Sequence, residues 1–175
     1  RITPPAPSLF TFRIPAPWLT GIAGVSVQAA EVRIKSCRLR ECGPLLITHE
    51  GLSGPAILRL SAWAARELHD QGYQFALQVN WVPGLNEGEV GRQLDLRRQK
   101  EPARFIVNSP LPGLAQRLWE RLVVAAGIPR ETRWAELSRS HRHQLIRQLS
   151  DTELPVNGKS LNADEFVTCG GVRLG

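Results

Sequence analysis

The amino-acid sequence predicts an α+β fold: a small antiparallel β-barrel-like part carrying an inserted helical part. Three observations predict it. Strand-like alternation dominates the first 84 residues, helical periodicity broken by prolines runs from about 85 to 150, and strand-like sequence returns after 154. The expected division is residues 1–84, β-rich with one helix over about 53–71, residues 85–153, helical, and residues 154–175, which return to the β part. A chain of 175 residues suffices for one good core, or for two small parts sharing one.

Taken in order, residues 3–17 are proline-rich, with Pro4, Pro5, Pro7, Pro15 and Pro17 around Leu9, Phe10, Thr11 and Phe12. Proline donates no ladder hydrogen bond, so this reads as an edge or wrapping segment with one short strand. From Val25 the alternation is strand-like; Ala29 and Ala30 slip its phase before Val32, Arg33 and Ile34 resume it. That slip predicts a bulge or two short strands. Arg40 to Pro44 reads as a turn, and Leu45 to Thr48 as a short buried strand. A helix from Ser53 to about Gln71 follows from apolar residues at Ile57, Leu60, Ala64 and Leu68, with Gly72 as its C-terminal cap. Tyr73 to Trp81 alternates cleanly and is the best strand. Helices are expected at about 86–100, 111–126 and 136–150, with breaks at Pro102, Pro110 and Pro129. Leu154 to Gly158 turns back, and Glu165 to Val172 reads as a strand entering a Gly-Gly bend.

Composition narrows the classes. The apolar share of 42% fits a folded protein, and no stretch is long and apolar enough to span a bilayer. The amino terminus does not read as a signal peptide, and the absence of Met is expected of an excised fragment. Three cysteines, Cys37, Cys42 and Cys169, suit a reducing, cytoplasmic setting better than a disulfide scaffold. Cys37, Cys42 and His49 lack a fourth ligand at metal-site spacing. The net charge of +6 permits an anionic partner; residues 85–150 hold twelve Arg or Lys against seven Asp or Glu, and the flanks read as nearly neutral.

The densest local signal is THEGLSGPAILRLS, residues 48–61. Ser53 is placed to cap the helix, Gly51 and Gly54 permit close backbone approach, and Pro55 fits the first turn. Such a start offers free N–H groups and a positive dipole end to an anionic group. It is not a nucleophile elbow: the second glycine directly follows Ser53, and Pro55 removes an N–H that an oxyanion would need. His49 reads either as a neutral imidazole facing a ligand or as a residue fixing the turn. The nucleotide-cradling motifs G-x-G-x-x-G and G-x-x-x-x-G-K-[ST] are absent. His141 and His143, two apart on a helix, do not share a face for a metal. Leu114, Leu118 and Leu122 form an apolar stripe beside Arg117 and Arg121, and the five tryptophans are too scattered to make a stacking platform.

LLITHEGLSGPAILRLS, residues 45–61, resembles a signature of bacterial NAD(P)/FAD-dependent oxidoreductases, the aminoacetone-oxidase-like FAD-binding flavoproteins. PAPSL (5–9), LPGLAQRLW (111–119) and FVTCGGV (166–172) agree in order and spread the likeness over nearly the whole chain. The resemblance implies the insertion that splits the FAD-binding domain of such enzymes. FAD is then the cofactor of the parent protein, with none expected in this fragment, which carries no catalytic residue and is inactive alone. The implied partners are the FAD-binding domain of the same chain and an unidentified small-molecule substrate. The cofactor-binding or substrate-facing residues would be Thr48, His49, Gly51, Ser53 and Gly54, with Thr168, Gly170 and Gly171 where the chain re-enters the FAD domain. Neither a membrane nor nucleic acid is expected as a partner. The alternative reading is a basic nucleic-acid-binding module or a protein-interaction module.

Overall fold

The computed structural model describes residues 2–160 and 167–172. Of the strand expected over 165–172, Glu165 and Phe166 lie outside the described residues, as do 161–164 and 173–175 of the expected returning part. The α+β class is borne out, with antiparallel pairing throughout.

Two sheets form. A two-stranded ribbon pairs β1 (Ile2–Ser8) with β9 (Val167–Val172), Ile2 opposite Val172 and Ser8 opposite Val167. Its register slips between Thr3 and Ala6, where Pro4 and Pro5 have no N–H to give. The main sheet has seven strands: β2 (Phe12–Arg13), β3 (Ser26–Ile34), β4 (Leu39–Ile47), β5 (Gly51–Ser53), β6 (Phe75–Asn80), β7 (Thr152–Val156) and β8 (Gly158–Lys159). Their order is β7-β6-β3-β4-β5-β2-β8. The two outer strands are consecutive in the chain, joined through Asn157, whose amide donates to the Arg13 carbonyl at 3.1 Å. One bent segment therefore closes both edges, and the sheet becomes a barrel without long free edges.

Several elements differ from expectation. Arg40 to Pro44 is not a turn but the middle of β4; the chain turns at residues 35–38, with Arg38 at φ 57°. Pro44 is tolerated because it lies at the β3–β4 bulge, between the pairs Val27–Leu45 and Ala30–Gly43. Ser53 does not cap a helix. It ends β5, and Gly54, at φ 100°, is the cap residue, a conformation that leaves Ser53 in the strand. The single helix expected over 53–71 is two, α1 (Pro55–Trp63) and α2 (Ala65–Asp70), broken at Ala64. Its apolar stripe is nevertheless as read: Ile57, Leu60, Ala64 and Leu68 are fully buried.

Three helices lie between β6 and β7: α3 (Glu87–Lys100), α4 (Gln116–Ala125) and α5 (Arg139–Ser150). Asn86 opens α3 by accepting from the Glu89 amide at 2.9 Å, while the Glu89 carboxylate accepts from the Asn86 amide at 2.8 Å. The start of α4 falls at Gln116 rather than 111, because Gly113 turns at φ 86°. Likewise α5 starts at Arg139, capped by Ser138, rather than at 136. Tryptophans bind the helices into the core. Trp119 donates to the Ile106 carbonyl at 2.7 Å and Trp81 to the Thr152 hydroxyl at 2.8 Å, both from fully buried rings. Arg142 on α5 forks onto Asp95 of α3 at 2.8 and 2.7 Å, and this hydrogen bonding holds its guanidinium above its ordinary pKa. Barrel and helices share one contiguous apolar core. Among the described residues no helix is long and apolar enough to cross a membrane.

Candidate functional site

The turn from β4 into β5 borders an open groove of about 450 Å3. Arg13, Thr48, His49, Glu50, Gly51 and Asn157 line its polar side, and Ile14, Ala16 and Leu19 its apolar side. The turn is held by Thr48 and Glu50. The Thr48 hydroxyl accepts from the Gly51 amide at 3.1 Å, the Thr48 amide donates to the Gly51 carbonyl at 2.8 Å, and the Glu50 carbonyl accepts from Ile14 at 2.8 Å. Ser160 donates to the Glu50 carboxylate at 2.6 Å, and Arg13 to the Asn157 side chain at 3.1 Å. His49 is exposed at the rim and makes no side-chain hydrogen bond or ion pair among the described residues. The Thr48 hydroxyl accepts from the turn's own amide and, among the described residues, is hydrogen-bonded to no side-chain base, so the groove can bind a small polar group without an activated nucleophile in place.

The expected site residues do not all meet there. Ser53, the last residue of β5, and Gly54, which follows it, do not line the groove. The close approach made possible by the glycines is to the chain's own backbone. A Cβ on Gly51 would crowd the Phe12 carbonyl and lie 2.7 Å from the Ile14 nitrogen; one on Gly54 would lie 2.9 Å from the Pro44 carbonyl oxygen. Thr168, Gly170 and Gly171 belong to the β1–β9 ribbon, a different sheet. Gly170 there faces the Pro4 carbonyl oxygen, 2.7 Å from where a Cβ would be, and Gly171 faces open space. The structure thus splits the expected set into a groove-lining turn, a packed helix start and a ribbon.

A second region went unread in the sequence. Across the outer face of the barrel, the register sets Arg40 opposite Arg33, Arg33 opposite Gln78, and Gln78 opposite Glu153. On one side of this row a groove of about 360 Å3 is lined by Arg33, Lys35, Arg38, Arg40 and Gln78. On the other side a groove of about 360 Å3 lies between the ends of α4 and α5, lined by Gly127, Gln144, Arg147, Gln148, Asp151 and Glu153. Ion pairs separate the two: Arg33 to Asp151 at 2.8 Å and Lys35 to Glu153 at 3.3 Å. Gln78, largely buried, donates to Asp151 at 3.4 Å. Arg38, Arg40 and Arg147 are exposed and make no side-chain hydrogen bond or ion pair among the described residues. The available signal was RIKSCRLR, residues 33–40, four cations in eight residues. Averaging charge over the whole flank hid it behind the acidic residues nearby.

Arg117 and Arg121 are placed differently. Arg117 donates to the Gly21 carbonyl and Arg121 lies against the same glycine, so they join α4 to the loop before β3. Cys37, Cys42 and Cys169 are free thiols, and no group of three His, Cys, Asp or Glu among the described residues is arranged to hold a metal.

Residues 6–167 match the family model described as the HI0933-like protein barrel and H2TH domain. Two similar curated proteins are named ribosomal RNA dihydrouridine synthase. The one from Haemophilus influenzae is 28% identical over 174 residues, and the one from Escherichia coli 29% identical over 176 residues. Each alignment covers 98% of this chain, which spans 40% of the length of either relative. With a barrel closed by its own chain and a helical insertion between two of its strands, this chain belongs to the HI0933-like barrel and H2TH domain family.

Proposed function

We propose that this chain is the substrate-side insertion of a larger FAD-dependent oxidoreductase, and that the substrate it covers is ribosomal RNA. The observation that carries the first half is the β1–β9 ribbon. Its strands run antiparallel with Ile2 opposite Val172, so the polypeptide passes into and out of the barrel side by side. A module joined in this way interrupts another domain without separating its halves. The chain's 40% share of its relatives' length leaves room for that domain in a longer protein.

The described residues do not fit a dinucleotide site of their own. Gly51, Gly54 and Gly170 are filled against by backbone, and only Thr48, His49 and Gly51 of the expected set line an open groove. The flavin is therefore assigned to the remainder of the longer protein, whose groove-facing neighbour this turn would be. A bound flavin supplies hydride chemistry of the kind that saturates a uridine double bond. This chain's part is to bind, orient and exclude water, with no acid or base of its own. The relatives' printed substrate and the free arginines of the barrel face together favour RNA over the small-molecule substrate implied by the resemblance. A cytoplasmic setting follows from that substrate.

The ribbon makes a clean test available. In the longer protein, residues 9–166 are replaced by a short turn, leaving β1 and β9 as a plain hairpin. The expected result is a protein that retains its flavin absorbance but no longer forms dihydrouridine in ribosomal RNA. Full RNA modification by the deleted protein, or flavin bound tightly by this chain alone, would overturn the reading.

A further inference from the structure

Resting on that reading, we propose that the phosphate backbone of the RNA lies across the barrel and α5, from Arg38 and Arg40 to Arg147. The path passes over the ion pairs that divide the two grooves.

Placement on the sheet carries the argument. Arg33 and Arg40 are directly opposite on β3 and β4, a like-charge pair that a sheet kept only for stability disfavours. Arg33 is compensated by Asp151 at 2.8 Å and Glu31 at 3.6 Å, and Lys35 by Glu153. Among the described residues Arg40 has no such partner, nor does Arg38 in the hairpin turn, nor Arg147 in the last turn of α5. The three uncompensated cations thus border two grooves that meet at the Arg33–Asp151 and Lys35–Glu153 pairs. The acidic residues on the path are already held by lysine and arginine, so they set the spacing of the free cations without cancelling them. Guanidinium forks match phosphate oxygens in geometry, and two grooves in series suit a polyanion rather than one small anion. The neighbouring Gln78 is fixed by Asp151 and keeps the floor of the hairpin groove rigid.

The test uses this chain and a fluorescein-labelled stem-loop of ribosomal RNA sequence, followed by anisotropy over a salt series. The triple variant Arg38→Ala, Arg40→Ala, Arg147→Ala should bind at least about tenfold more weakly, with a log–log salt slope about two to three units shallower. Arg38→Lys, Arg40→Lys, Arg147→Lys should restore most of the slope, since each lysine still releases counterions. Arg66→Ala with Lys100→Ala, exposed cations elsewhere, should leave binding within about twofold of the original. Unchanged thermal midpoints exclude misfolding, as all five side chains are exposed. Steep, unaltered RNA binding by the alanine triple would overturn this path while leaving RNA as the substrate. Failure of the unaltered chain to bind the RNA at low salt would overturn the path and count against the RNA reading itself. Equal loss on poly-glutamate, with no preference for RNA, would assign the face to an acidic protein and overturn the proposal.

Discussion

Gly51 shows what one residue contributes at the crossing of β5 and β2. Its φ is not in the left-handed region, so the constraint is space: a Cβ would press on the Phe12 carbonyl and lie 2.7 Å from the Ile14 nitrogen. Backbone cannot swing aside as a long side chain does. Gly51→Ala is expected to destabilise the chain by about 3 kcal/mol, at the upper end for overpacking. Gly84 meets nothing within 4 Å at that position and has an ordinary φ, so Gly84→Ala should lie within about 0.5 kcal/mol of neutral. Thermal or urea unfolding of the two variants makes the comparison, and equal effects would contradict the packing role given to Gly51. The sequence made the glycines of residues 51–54 conspicuous but not what they approach. Only the barrel's strand order, set by contacts far apart in the chain, brings β2 beside β5.

At the scale of elements, legibility followed locality. The cap at Asn86 and Glu89 and the alternation of 73–81 are decided by residues within one turn or strand of each other; α3 appears where expected, and β6 occupies Phe75–Asn80 of the expected stretch, Tyr73 staying in the turn at φ 59°. The helix over 53–71 failed for a tertiary reason. Gly54 lies so close to β4 that a Cβ on it would be 2.9 Å from the Pro44 carbonyl oxygen; β5 pairs with β4 before the helix begins, and Ser53 is drawn into the ladder. RECGP failed similarly: its Pro and Gly read as a turn until the bulge opposite Val27 to Ala30 absorbs the missing N–H. Since the α3 cap is local and exposed, its cost should be local too. Asn86→Ala is expected to lower stability by about 1 kcal/mol without altering RNA binding, as Asn86 lies on neither groove. Denaturant midpoints together with anisotropy would expose any larger or mixed effect.

For the whole molecule, the barrel closes because β7 and β8 are one bent segment, and the helices enter between β6 and β7 without disturbing that closure. The same arrangement brings Glu153, distant in sequence, into one row with Arg33 and Arg40, and lays Arg147 beside it. Charge counted along the chain placed the basic surplus in the helices. Many of those cations are spent internally, on Asp95, Glu101, Glu120 and the Gly21 carbonyl, whereas Arg38 and Arg40 of the hairpin have no partner among the described residues. The central claim is that this domain holds RNA while the rest of a longer protein holds the flavin. Ultraviolet crosslinking of that longer protein to ribosomal RNA, read by mass spectrometry of the peptides, tests it most directly. Crosslinks within residues 33–40 and 144–153 are the predicted result; crosslinks confined to segments outside residues 2–172 would contradict it.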